Sequence, residues 1–285
     1  MNADKTTESG DKHENIIEEN VAMPRPSKLG LVLVTGGSRG IGRATSILLA
    51  RRGYDVAINY KSRAKEAESI IHEIKTNNNN DDDENAGHVM TFQADISNEE
   101  EVISLYDSIY TKFGRYPTGL VNNAGILGTR NADITSMTTA DLEQVFAVNV
   151  YGPFYCTREF VRRWKIMNGN RQQQQQRGSI VNVSSGSAHI GNPLFYAMSK
   201  GALNSFMAGL SKTLPADHNI RMNAIAPGVT KTDIVTDEMA DKVMPLIPMK
   251  RVGEPEEIAE GIVFLISDGS SYCSGANVRM AGGRP

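Results

Sequence analysis

Residues 31–42 read Leu31-Val32-Leu33-Val34-Thr35-Gly36-Gly37-Ser38-Arg39-Gly40-Ile41-Gly42. The apolar run Leu31 to Val34 has no polar interruption, as expected of a strand buried on both faces, and the helical pattern Arg43 to Arg52 follows the last glycine directly. A strand, a glycine turn and a helix in that order make a cradle for an anion, because the helix N-terminus offers unbonded N–H groups and the positive end of its dipole. Gly36 can supply the tight turn, Gly40 lets backbone approach a pyrophosphate, and Gly42 lets the helix pack closely. The spacing is not G-x-G-x-x-G. A P-loop alignment from Gly37 to Gly42 fails as well, since Arg43 and Ala44 stand where a phosphate-binding Lys and a Mg²⁺-binding Ser or Thr are required. The stretch points to a dinucleotide, with Thr35, Gly36, Ser38, Arg39, Gly40, Ile41 and Gly42 placed against it.

The next strand pattern, Asp55 to Asn59, ends in Asn59-Tyr60-Lys61-Ser62-Arg63. In a dinucleotide fold this end lies beside the adenosine ribose, where a carboxylate would grip a 2′-hydroxyl. No carboxylate is there. Arg39, Lys61 and Arg63 bring positive charge suited to a 2′-phosphate, which arginine can bind bidentately. The sequence therefore favours NADP(H) over NAD, with Tyr60 and Lys61 at the adenosine end.

Working outward, Val/Ile/Leu runs at 31–34, 55–59, 89–93, 119–122, 179–184, 220–225 and 277–280 read as buried strands. Amphipathic patterns at Ala64 to Lys75, Glu99 to Phe113 and Glu256 to Ile266 lie between them. Repeated βα units predict an α/β fold: a single doubly wound Rossmann domain with a seven-stranded, mostly parallel sheet flanked by helices, its ligand site past the carboxyl ends of the strands. Three polar stretches read as additions: the tail 1–28, the run Thr76 to His88 and the run Asn168 to Arg177, each too poor in apolar residues to offset the entropy of ordering it. The catalytic domain is then 29–285, with loop insertions at 76–88 and 168–177.

Composition narrows the partners. A net charge of −3 with 40% hydrophobic residues argues against a nucleic-acid surface and for a small-molecule ligand. Two cysteines, Cys156 and Cys273, provide neither a disulfide framework nor a cysteine metal site, and the five histidines show no metal-ligand spacing. No apolar run approaches the roughly 20 residues of a membrane span, and residues 1–28 are acidic without the apolar segment of a signal peptide. The expectation is a cytoplasmic protein.

Chemistry is suggested by Tyr196 and Lys200, four apart and so on one face of a helix opening near Phe195. A tyrosine titrating near pH 10 needs about 4 kcal/mol of help to ionise near pH 7. A neighbouring ammonium and a cationic nicotinamide would both lower its pKa and let it act as general acid or base. The pair follows the strand that ends in Ser184-Ser185, so hydroxyl and phenol can converge at one sheet edge. Ser184 and Ser185 should face opposite ways, which leaves Ser185, Ser184 or the nearby Ser187 as the serine addressing the site. Pro153 follows Asn149 by four residues and has no N–H for its carbonyl, which predicts a free carbonyl able to hold a relay water and a kink at Gly152-Pro153.

Taken together these motifs resemble the short-chain dehydrogenase/reductase family over nearly all of Leu29 to Gly283, and within it the 3-oxoacyl-carrier-protein reductase and glucose dehydrogenase branch. They are Thr35-Gly36-x-x-x-Gly40-x-Gly42, Ala94-Asp95-Ile96, Asn122-Asn123-Ala124-Gly125, Val148-Asn149-Val150, Ser185, Tyr196/Lys200 and Pro227-Gly228-x-x-x-Thr232. The resemblance implies that Asp95 and Ile96 lie beside adenine, that Asn123, Ala124, Gly125, Pro227, Gly228 and Thr232 line the cofactor, and that Thr232 meets the carboxamide. It further implies that Ser185 holds the substrate oxygen, Tyr196 moves the proton, Lys200 binds the nicotinamide ribose and tunes Tyr196, and Asn149 holds a relay water. The implied activity is NADP(H)-dependent interconversion of a carbonyl and an alcohol, with a homotetramer or dimer as assembly. A sugar dehydrogenase and a non-catalytic nucleotide sensor are the alternatives. One departure is that Tyr196 follows Ser185 by only 11 residues, a shortening between Gly191 and Tyr196 in the substrate loop. Leu194-Phe195 and the segment Ile234 to Val243 are expected to form a substrate lid.

Overall fold

The computed structural model describes residue 27 and residues 29–77, 87–130, 133–168, 176–233 and 235–284. Seven strands pair side by side: β1 (Leu31–Val34), β2 (Asp55–Tyr60), β3 (Val89–Gln93), β4 (Gly119–Asn122), β5 (Gly178–Val183), β6 (Ile220–Pro227) and β7 (Asn277–Met280). Their order is β3-β2-β1-β4-β5-β6-β7. Every neighbouring pair is parallel, so the sheet is wholly rather than mostly parallel. Each return stroke is long enough for a helical crossover, which removes the need for an antiparallel hairpin.

Side-chain alternation on β1 shows how the layers are built. Leu31 and Leu33 pack into one core with Val102, Leu105 and Ile109 of α3 (Glu99–Phe113) and Phe160 and Trp164 of α5 (Gly152–Asn168). Val32 and Val34 point the other way, against Ile47 and Leu49 of α1 (Gly40–Arg51), Ile70 of α2 (Ala64–Asn77) and Ile262 and Leu265 of α10 (Pro255–Ile266). Both faces of the sheet are thus covered, as a parallel sheet requires.

After β1 the chain winds outward to β3 and then returns to β4 on the other side of β1. Val34 is in register with Ile58 of β2 and Val121 of β4, so the three strand ends lie level where the order reverses. That switch point opens a crevice beyond the carboxyl ends.

Three boundaries differ from the sequence reading. Helix α1 begins at Gly40, three residues before Arg43, because the glycines themselves form its first turn. Strand β6 continues to Pro227, whose missing N–H falls at the strand end. The helical stretch α4 (Thr139–Phe146) runs into α5 through a π-helical turn, Ala147–Tyr151, in which Gly152 N–H reaches Ala147 O. The expected kink at Gly152-Pro153 is therefore a widened turn just before it, the way a helix adapts when Pro153 cannot donate to Asn149. Short helices α6 (Ser187–Ile190), α8 (Leu214–His218) and α9 (Asp237–Val243) lacked the length for a periodic signal, while α7 (Leu194–Leu210) opens one residue before Phe195. Of the polar insertions, Thr76 and Asn77 finish α2, Gly87 and His88 lead into β3, Asn168 ends α5, and Gln176 and Arg177 lead into β5. Their centres and the tail before Ser27 lie outside the described residues, as does Ile234 of the expected lid.

Candidate active site

The crevice is a cleft of about 790 Å³ running from the β2 end, across the glycine turn, to the loops after β4, β5, β6 and β7. Its floor is the turn between β1 and α1. Gly36 has φ +60° and Gly40 φ +52°, both left-handed. A Cβ on Gly42 would lie 2.3 Å from Gly36 O and 2.4 Å from Asn123 Nδ2, so only glycine lets helix and turn close on each other. No side chain caps α1 and no acidic residue stands in its first turn. Such a helix start fits a pyrophosphate.

Thr35 and Asn123 brace this turn from below. Thr35 Oγ1 donates to Val121 O (3.2 Å) and accepts from the N–H groups of Asn123 (3.0 Å) and Ala124 (3.1 Å). Asn123 Nδ2 donates to Thr35 O (2.9 Å) and Gly36 O (3.0 Å). Thr35 is fully buried and Gly42 is walled off, and neither lines the cleft; both were expected to contact the cofactor. Asn59, which the sequence reading passed over, accepts from Gly36 N–H (3.4 Å) and donates to Ala94 O (3.0 Å), tying the turn to the loop after β3. An amide ending an otherwise apolar strand was the available signal.

At the adenosine end, Arg39, Tyr60, Lys61, Arg63, Asp95 and Ile96 all line the cleft. Lys61 Nζ lies 2.6 Å from Asp95 and Arg39 lies 3.2 Å from Asp233. Burial would raise the Asp95 pKa, but hydrogen bonds from Lys61 and Ser97 hold it below the usual carboxylate range. Thr232 arches over the turn, its Cγ2 within 3.1 Å of where a Gly40 Cβ would be.

At the other end the sheet edge and α7 bring Ser185, Tyr196 and Lys200 together. Ser185 Oγ accepts from Ser187 N–H (3.1 Å) and lies near enough to the Tyr196 phenol to lower its pKa. Ser184 faces elsewhere, donating to Asn204 Oδ1 (2.6 Å). The one-turn helix α6 takes up the short Ser185 to Tyr196 connection without parting the two. Lys200 is 3% exposed, donates to Val183 O (2.7 Å), and its Nζ sits 5.5 Å from the centre of the Tyr196 ring. Burial pushes the Lys200 pKa down to about 8. Burial also raises the Tyr196 pKa, and neighbouring Ser185 only partly offsets it. The lowering expected from Lys200 is not found here; desolvation sets the direction.

Asn149 does not reach the cleft. Its Oδ1 accepts from Ile126 N–H (2.9 Å) and its Nδ2 donates to Ile126 O (2.9 Å) and Ser199 Oγ (3.0 Å). A Cβ on Gly125 would lie 3.3 Å from Asn149 Oδ1 and 3.5 Å from Lys200 Nζ, so the two residues converge behind that glycine. Leu194 and Phe195 open α7, with Phe195 buried, whereas Val235, Met239 and Val243 line the cleft from the segment around α9. Among the described residues no cluster of His, Cys, Asp and Glu could hold a metal ion, and no helix is long and apolar enough to cross a membrane.

Comparison with known proteins agrees with this geometry. The family described as enoyl-(acyl carrier protein) reductase matches residues 36–284. An uncharacterised oxidoreductase of Escherichia coli, YgfF, is 38% identical over 90% of this chain and 100% of its own length. The chain belongs to the short-chain dehydrogenase/reductase family. A 3-oxoacyl-[acyl-carrier-protein] reductase of Synechocystis is 34% identical over 89% of this chain and 96% of its own. Among solved structures, a short-chain dehydrogenase of Burkholderia cenocepacia in complex with NADP superposes with TM-score 0.75 and 27% identity over 88% of this chain and 96% of that one. A short-chain dehydrogenase/reductase of Serratia marcescens gives 0.77 and 28% over 91% and 99%. As a short-chain dehydrogenase/reductase the protein is an oxidoreductase that works with a nicotinamide cofactor, and its sequence is similar to the 3-oxoacyl-carrier-protein reductase branch.

Proposed function

We propose that this protein is an NADP(H)-dependent enzyme that interconverts a carbonyl and a secondary alcohol, working chiefly as a reductase. The observation that carries the reading is the convergence of Ser185, Tyr196 and buried Lys200 at the far end of a cleft whose floor fits a dinucleotide. When bound, the nicotinamide supplies hydride. Ser185 Oγ orients the substrate oxygen, and the Tyr196 hydroxyl gives it a proton. A raised Tyr196 pKa keeps that proton in place until an oxyanion develops next to it, as a general acid requires. Lys200, fixed by Val183 O, stabilises the resulting phenolate. The Asn149 side chain is fully engaged, so its part in a proton relay would run through its main-chain carbonyl, to which Pro153 offers no hydrogen.

The preference for NADP rests on Arg39, Lys61 and Arg63 around the adenosine end. The NADP-bound relative supports it. Two further parts of the reading are a homodimer or homotetramer and a cytoplasmic setting, the latter consistent with two free cysteines. The test is optical: NADPH and NADH oxidation against ketones, aldehydes, 3-oxoacyl thioesters and an enoyl thioester. The expected result is turnover of carbonyls with NADPH well above NADH. Reduction of the enoyl compound alone, or NADPH binding with no turnover, would overturn it.

A further inference from the structure

The stripe of α7 that carries Tyr196 and Lys200 has a third member. Residues four apart on a helix share a face, and Asn204 follows Lys200 by four as Lys200 follows Tyr196. All three meet the chain at the end of β5. Lys200 Nζ donates to Val183 O (2.7 Å), Asn204 Oδ1 accepts from Ser184 Oγ (2.6 Å), and Tyr196 lies beside Ser185.

These contacts differ in what they fix. Leu203 and Met207 bury the adjoining face of α7, but apolar contact is non-directional and tolerates sliding along the helix axis. Lysine reaches its partner on a flexible four-carbon stem, so its bond survives small shifts of the main chains. Ser184 and Asn204 have short side chains, the first buried and the second half-buried. A hydrogen bond between such groups holds only within a narrow range of distance and angle, so theirs sets where α7 stands along the β5 end. Ser184 is also held from β6, its N–H donating to Ile225 O (2.7 Å). Ser185 is one peptide further on. Its Oγ accepts from Ser187 N–H (3.1 Å), and the next N–H, of Gly186, donates to Pro227 O (3.1 Å). Those two bonds set Ser185 relative to α6 and β6. The Ser184–Asn204 bond sets it relative to α7, the helix that carries Tyr196.

Resting on the reductase reading, we infer that Asn204 is a positioning residue for that reaction: through Ser184 it fixes α7 against the end of β5 and so keeps the Tyr196 hydroxyl in line with Ser185 and the substrate oxygen. Asn204 does not line the cleft, so its effect runs through Ser184. A misplacement of about 1 Å between reacting groups can cost on the order of 10²-fold in rate. A bond outside the cleft can therefore act on turnover without acting on cofactor binding.

The test compares Asn204→Ala, Ser184→Ala, the two together, and Asn204→Asp, whose carboxylate keeps an acceptor for Ser184. With NADPH and a carbonyl that the wild type reduces, each alanine variant should lose about three- to tenfold in kcat, the worth of one hydrogen bond, with the NADPH dissociation constant within about twofold of wild type. The double variant should lose no more than either single one, since one bond is broken in all three. Asn204→Asp should return kcat to within about threefold of wild type. Wild-type kcat in both alanine variants, losses that multiply in the double variant, or no recovery in Asn204→Asp overturns the inference and leaves the reductase reading standing. A second readout needs no turnover. With 3-fluorotyrosine in place of tyrosine and the Tyr196 ¹⁹F resonance assigned through Tyr196→Phe, that resonance should move in both alanine variants and return in Asn204→Asp. If the wild type turns over no carbonyl, the reductase reading fails and this resonance decides. A shift restored by Asn204→Asp supports the placement of Tyr196 by Asn204, and a resonance that stays put or is not restored overturns it.

Discussion

Lys200 shows what the active site asks of a single residue. The folded protein takes up the Lys200 proton less readily than the unfolded chain, because burial lowers its pKa to about 8. The buried ammonium therefore penalises the fold fully below about pH 8, and the penalty fades as pH rises toward the ordinary lysine value. At pH 7 it amounts to about 3 kcal/mol by the standard conversion. Lys200→Met should accordingly melt higher than wild type at pH 7, with the difference narrowing by pH 10, while losing turnover. A lower melting temperature for the variant at pH 7 would show that the bond to Val183 O matters more than desolvation. The sequence disclosed which residues meet at this site, since Tyr196 and Lys200 share a helix face whatever the tertiary detail. It did not disclose the direction of the Tyr196 shift. Desolvation depends on how tightly α7 lies on the β5 edge, and no local pattern encodes that.

The glycine turn is an element whose geometry can be tested in the same way. Gly42→Ala sets a Cβ against backbone at 2.3 Å and the Asn123 amide at 2.4 Å, so turn and helix must part. A loss of about 1–3 kcal/mol is expected, as for overpacked cores, together with weaker NADPH binding; denaturant melts and NADPH fluorescence check both. The loop after β6 is coupled to this turn through the ion pair of Arg39 with Asp233. A 2′-phosphate would compete with Asp233 for that guanidinium. Asp233→Asn should therefore tighten NADPH about 1.4- to fivefold, the equivalent of an exposed ion pair of 0.2–1 kcal/mol, and leave NADH nearly unaffected; equal effects on both cofactors would remove Arg39 from the phosphate site. The position of β1 was legible because an unbroken apolar run flanked by turn residues has few other solutions, whereas β7, Asn277-Val278-Arg279-Met280, mixes polar and apolar residues and is largely exposed rather than buried as expected. The π turn at Ala147–Tyr151 was not legible, although its cause, Pro153, was in view: a missing donor can kink a helix or widen it, and packing chooses. Thr35 and Asn149 look like contact residues in a motif, but their hydrogen bonds make them braces.

For the whole molecule, the all-parallel sheet and its reversal at β1 follow from helix and strand alternation, and with them the place of the cleft. Surface features were less legible, since exposure is set by neighbours distant in sequence. Tyr151, which ends the π turn, Phe154, at the start of α5, and Met198, on α7, remain 50%, 42% and 44% exposed, and Phe264 on α10 and Tyr272 are exposed as well. Apolar groups of this size left outside suit contacts between copies of the chain. Sedimentation should find a dimer or tetramer, and Phe154→Glu should shift it to a smaller species; a wild-type monomer would contradict the assembly.

The central claim is that Tyr196 is the proton donor in a carbonyl reductase. It is tested most directly by single-turnover NADPH oxidation with a reducible carbonyl in excess, wild type beside Tyr196→Phe. The account predicts a rate about 10²–10⁴-fold lower in the variant, the usual contribution of a positioned general acid, with NADPH binding retained by fluorescence. A variant that oxidises NADPH at the wild-type rate would contradict it.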